Sequence, residues 1–237
     1  MDDFERYSDY NEIDESPKKS VAGSIIKIAI VAVCLLVLVA MIVRVMMFNH
    51  YPDGMKRLYF NDTLTAYYNT HGGRLDAKTQ DLRAPYDDPN KGNFFADNLI
   101  VIEGAGQLQL SLRLNTSILD TIKKDYGADI ELDKDSFTFE LYRDPRIDGG
   151  EGTPVTPEKI GTLTYVEYDS FAMYRYYKLV FDGINFESST DTSVEWLRVE
   201  IRINGVEMDK PYMIAIYENN EEYSKFTEYK PSKSERP

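Results

Sequence analysis

"LQLSLRL", residues 108–114, alternates without a fault: Leu108, Leu110, Leu112 and Leu114 fall on one side of an extended chain, and Gln109, Ser111 and Arg113 on the other. A period of two, with one apolar and one polar face, describes a strand of an antiparallel sheet whose inner face meets a core and whose outer face meets water. The same alternation recurs downstream. In "SFTFEL" the inner set is Phe137, Phe139 and Leu141, against Ser136, Thr138 and Glu140. In "WLRVEIRI" Leu197, Val199, Ile201 and Ile203 point in, while Trp196, Arg198, Glu200 and Arg202 point out.

Asn204-Gly205 follows that strand directly and favours a type I′ turn, which would return the chain through "VEM" toward "YMIAIY", with Pro211 marking a break. Further strands are expected at 63–68, 99–103, 161–168 and 173–181. Roughly eight strands over about 170 residues predict a mainly all-β fold, an antiparallel two-sheet sandwich of immunoglobulin-like or jelly-roll-like kind. One short helix interrupts them at "NTSILDTIKKDYG", with capping residues at Asn115–Ser117, apolar Ile118, Leu119 and Ile122, and Gly127 at the C′ place. Residues 71–93 and 144–159 are long connections rich in Gly, Pro and Asp.

Upstream, residues 28–43 are 16 apolar residues without interruption, flanked by Lys27 and Arg44. Taken from 25 to 48, the run would span roughly 36 Å as a helix, enough to cross a bilayer core. It lacks the small-residue cleavage site of a secretory leader, so it reads as an uncleaved, single-pass signal-anchor. Lys18, Lys19 and Lys27 gather at its N-terminal side, which predicts a cytoplasmic N-terminus and an extracytoplasmic C-terminal domain at the cell membrane. The opposite topology would make that domain a cytoplasmic adaptor. The chain thus divides into a disordered acidic tail (1–20), a transmembrane helix (21–48), a juxtamembrane linker (49–60), the β-sandwich (61–230) and a disordered polar tail (231–237).

Composition narrows the chemistry. With 40 acidic against 27 basic residues the net charge is -13, and both flanks of the apolar run are acidic on balance, which argues against nucleic acid as a partner. The one cysteine, Cys34, lies in the apolar run, so the outer domain is not built on internal disulfides. His50 and His71 are its only histidines, too few for a His-based triad or a zinc site of the usual kind. No phosphate loop or dinucleotide fingerprint occurs, and no cofactor is implied. Asp129, Glu131, Asp133, Asp135 and Glu140 resemble a calcium loop in spacing, but Lys134 occupies the place where such a loop turns on Gly.

The outward set Trp196, Arg198 and Arg202, joined by Tyr174 and Tyr176 if their strands are neighbours, would make a ligand platform for a sugar ring or an acidic peptide. No residue is assigned a catalytic role. An envelope hydrolase working through paired carboxylates is the enzymatic alternative.

The order of "NFFADNLIVIEGAGQLQLSLRLN", "YRYYKLVFDGINF" and "WLRVEIRING" after a single span resembles single-pass, membrane-anchored β-domain proteins of Gram-positive bacteria, a group with no assigned activity. The resemblance implies a location and carries over no site residue. Together these readings point to a non-catalytic module, integral to the membrane, that binds an envelope protein or glycan.

Overall fold

The computed structural model of the chain describes residues 21–82, 94–145, 156–186, 195–218 and 226–237. It divides after His50 into two compact units. The first contains helix α1 (Val21–Asn49), of which Ser24–Asn49 is long and apolar enough to cross a membrane. Lys27 and Arg44 lie toward the two ends of this helix, while Lys18, Lys19 and the rest of the tail 1–20 lie outside the described residues.

The second unit is mostly β. Its elements are α2 (Asp62–Thr70), β1 (Lys78–Asp81), β2 (Phe94–Ile102), β3 (Gln107–Asn115), α3 (Ile118–Tyr126), β4 (Phe137–Pro145), β5 (Glu158–Lys159), β6 (Thr162–Phe171), β7 (Tyr174–Asp182), β8 (Glu195–Ile203), β9 (Tyr212–Glu218) and β10 (Thr227–Glu228). They form a six-stranded sheet of order β10-β1-β2-β3-β7-β6 and a four-stranded sheet of order β5-β4-β8-β9. Every pairing is antiparallel.

The inner faces are those the alternation predicts. Leu108, Leu110, Leu112 and Leu114 of β3 share one core with Phe137, Phe139 and Leu141 of β4 and with Leu197, Val199, Ile201 and Ile203 of β8. Aromatic rings join the layers: Phe94 meets Phe137 edge-on with centroids 5.5 Å apart, and Phe139 tilts against Tyr177 at 5.2 Å. Helix α3 closes the core with Ile118 and Ile122, and Gly127 caps it in the left-handed conformation (φ +66°), as the sequence predicts.

Residues 63–68, expected as a strand, are helical instead. Asn61 is the N-cap of α2, its side-chain oxygen accepting from the Leu64 backbone N–H at 3.0 Å, and Asp62 adds an acid in the first turn. Leu64 and Tyr67 lie three apart on the packed side, so the period is helical and not two.

The turn after β8 also differs. Gly205 has φ +75° while Asn204 keeps a negative φ, the pattern of type II rather than type I′. Asn204 is held by Asp135 and Thr138 instead, and a loop precedes β9.

The largest departure is an outer layer over the six-stranded sheet. Residues 49–60, expected as a linker, cross the outer face of β3 and β7 from residue 51 onward, with Met55 and Leu58 buried. The expected tail 231–237 folds back onto them. The Leu58 N–H donates to the Tyr229 hydroxyl and to Glu235 Oε1, both at 3.0 Å, and Tyr229 itself donates to Glu235. Leu58 joins Leu64, Ala77, Ile100 and Ile102 in a second apolar cluster on this side. All eight residues from Gln107 to Leu114 are therefore buried, and the polar face of β3 is not wet. Backbone groups so covered need partners, and the sheet supplies them from its side chains.

Candidate functional site

The expected platform is split between the two sheets. β7 lies between β3 and β6, whereas β8 lies between β4 and β9, so Tyr174 and Tyr176 do not meet Arg198 and Arg202. The chain changes sheet between β7 and β8, and strands adjacent in sequence are not adjacent in space. Tyr174 and Tyr176 are buried beneath the outer layer: Tyr51 packs edge-on against Tyr176 at 4.8 Å, and the Arg113 guanidinium lies 5.4 Å from the Tyr174 ring centre. Burial pushes the Tyr176 hydroxyl up to about 12. Trp196 takes its place in β8 opposite Asp144 and Glu218, and its side chain lies outside the described residues.

Arg198 and Arg202 do belong to one surface, the outer face of the four-stranded sheet. The register sets its rows. Lys159, Tyr142, Arg198 and Ala215 lie across β5, β4, β8 and β9; Glu140, Glu200 and Met213 form the next row; Thr138 and Arg202 the third. Thr138, Lys159, Arg202 and Met213 reach solvent. Ion pairs knit the rows together. Arg198 donates to Glu200 Oε1 at 2.9 Å while Arg202 stands 3.7 Å from Oε2. Lys159 donates to Glu140 Oε1 at 2.6 Å, and the Tyr142 hydroxyl to Oε2 at 2.9 Å. The Arg198 guanidinium also lies 5.6 Å from the Tyr142 ring centre.

Glu140 and Glu200 stand directly opposite each other, a carboxylate pair among the described side chains of this surface. The Lys159 hydrogen bond, with help from Tyr142, holds the Glu140 carboxyl below its ordinary value. A glycosidase acid needs the reverse, a carboxyl kept protonated near neutral pH. Nothing in the sequence of either strand alone pointed to Lys159 or Tyr142; only the pairing of β5 with β4 brings them here.

The acidic run after α3 disperses. Asp129 faces Lys123 at 3.4 Å, and Glu140 is committed to Lys159. Asp133 caps its own turn, accepting from the Asp135 N–H at 2.8 Å and from the Ser136 hydroxyl at 3.0 Å. Among the described residues no group of three or more His, Cys, Asp or Glu side chains is placed to hold a metal ion.

The richest polar geometry lies on the covered face, which the sequence does not flag. Gln109 grips residue 59 twice, accepting from the Tyr59 N–H at 2.8 Å and donating to the Tyr59 carbonyl at 2.7 Å. Ser111 donates to the Met55 carbonyl at 2.6 Å, Asn98 to the Lys56 carbonyl at 3.3 Å, and Lys178 to the carbonyls of Gly54 and Arg57. Burial pulls the Lys178 amine down to about 8. Asp182 gathers Asn61, Gln107 and Thr164 around one carboxylate, Thr164 being the extra residue of a bulge in β6. A buried Arg113–Asp97 pair at 3.3 Å closes the other end, with Asp97 again at a bulge, in β2.

No protein-family model, no curated protein and no solved structure matches the chain.

Proposed function

We propose that the chain is a membrane-anchored, extracytoplasmic binding module that carries out no reaction of its own. The reading is carried by one observation: the outer face of the four-stranded sheet shows Lys159 and Arg202 to solvent, held in fixed rows by Glu140 and the buried Glu200. Side chains already held by neighbours lose little freedom when they meet a partner. Alternating rows of charge select a partner by complementarity rather than by area. The apolar helix Ser24–Asn49 supplies the anchor, and the lysines at its N-terminal side favour a cytoplasmic N-terminus. An envelope protein or glycan is then the partner within reach.

Two measurements test this. With Cys34→Ala and Asp209→Cys in the full chain, an impermeant maleimide should label intact cells. Protection until lysis would put the domain on the cytoplasmic side. A photo-crosslinking residue at Arg202 should then capture a discrete adduct in those cells, and one at the exposed Lys124 on α3 should not. Equal, diffuse labelling from both positions would remove the binding face.

A further inference from the structure

We propose that residues 51–70 form an exchangeable arm, and that two copies of the chain insert these arms into each other's six-stranded sheets. The groove that receives the arm reads main chain. Gln109, Ser111, Asn98 and Lys178 all bond backbone atoms of residues 54–59, and two apolar side chains, Met55 and Leu58, fill the spaces between. Tyr59 adds a stacked contact with Tyr165 of β6, ring centres 3.8 Å apart. An identical arm from a second copy meets all these groups equally well, so exchange trades like contacts for like.

The polarity of the groove points the same way. A sheet face covered for good by its own chain is most stable when apolar, because buried polar groups gain little over their hydration in water. Here the covered residues include Gln107, Gln109, Ser111, Arg113, Lys178 and Asp182, beside the apolar Ile100, Ile102, Tyr176 and Val180. The polar part of this face tolerates water when the arm is out, and the apolar part is covered again by the arm of the second copy. Toward the sandwich the arm has one covalent connection, residues 71–76. Residues 71–74 are exposed, Gly72 and Gly73 hold φ values of +63° and +76°, and a side chain at Gly72 would meet open space. A glycine pair in an exposed connection is a hinge of the kind that permits swapping. Anchoring by the apolar helix would hold copies in one layer with one orientation, which raises their effective concentration.

The test uses the full chain in membranes. Two differently tagged copies are co-expressed with a benzophenone amino acid replacing Tyr59, irradiated and denatured. One tag is captured and the other is probed, and the linked peptides are mapped. Exchange predicts covalent pairs carrying both tags, joined from position 59 of one copy to β6 of the other. Deleting Gly72 and Gly73 should raise that share severalfold, and inserting a Gly-Ser tetrapeptide there should lower it. Links from position 59 to β6 that all lie within one chain would overturn the proposal, even if copies associate through α1.

Discussion

The two sheets share a core, but their outer faces differ in what lies over them. The six-stranded sheet carries a second layer of chain, residues 51–60 with α2 and the folded-back C-terminus, and Gln109, Ser111 and Lys178 are spent on the backbone of that layer. The four-stranded sheet pairs its polar side chains with one another and shows Thr138, Lys159, Arg202 and Met213 to solvent. In β3 and β8 the two faces look alike as strings, with a polar residue at nearly every second place. Their difference is one of dielectric surroundings, and that decides what each charge contributes.

Asp97→Ala should have the largest effect. The Arg113–Asp97 pair has side chains only 5% and 4% exposed. Removing Asp97 takes away the carboxylate that faces this guanidinium in a dry layer, a loss of about 3–5 kcal/mol. The measurement is the denaturant midpoint of the full chain in detergent. A change under ~1 kcal/mol would mean that water reaches Arg113 and that the two faces are alike.

Next comes Leu58→Ala. Leu58 is 4% exposed in the small cluster beneath α2, and truncating a buried leucine costs about 2–5 kcal/mol. Amide exchange should rise first in residues 54–60, whose bonds depend on that packing. Global unfolding without early opening of this stretch would show that the outer layer is one cooperative unit with the sandwich.

How far the sequence leads is clear from particular residues. The alternation in β3, β4 and β8 reports the inner face because apolar side chains at period two have only one way to be buried together. It is silent on what lies over the outer face. Gln109 and Ser111 read as solvent-facing although both are buried, since a side chain bonded to a distant backbone looks like one bonded to water. Two signals did exist. Ile100 and Ile102 place apolar residues on the outer phase of β2, and Asn61-Asp62 with Leu64 and Tyr67 spells a capped helix. The split of Tyr176 from Arg198 could not be seen at all, because strand order across two sheets is a long-range property.

A third prediction separates the faces by pH. The Lys178 amine, lowered by burial to about 8 from an ordinary 10.5, releases its proton in the folded chain before it does so in the unfolded one. The unfolded state then binds more protons, so stability rises with pH between the two values. Lys178→Met should flatten the rise in Tm between about pH 8 and about 9.5. An unchanged slope would mean that the rise comes from other groups and that the covered face does not enclose this charge.

The smallest effect belongs to the open face. In the Lys159–Glu140 pair the side chains are 56% and 31% exposed, where solvent and salt screen the attraction. Lys159→Met should therefore cost no more than about 1 kcal/mol. The sign follows from Glu140, whose lowered carboxyl contributes stability above its ordinary range and loses it as pH falls through the folded value. Without Lys159, Glu140 and Glu200 face each other across the strands with less compensation, and like charges so placed repel. A cycle of Lys159→Met and Glu140→Gln separates the two contributions, since Gln keeps the shape and removes the repulsion. Coupling that fades in high salt marks a pair open to solvent. Coupling above ~2 kcal/mol that salt leaves intact would instead place this face among the structural ones, because only desolvated pairs resist screening.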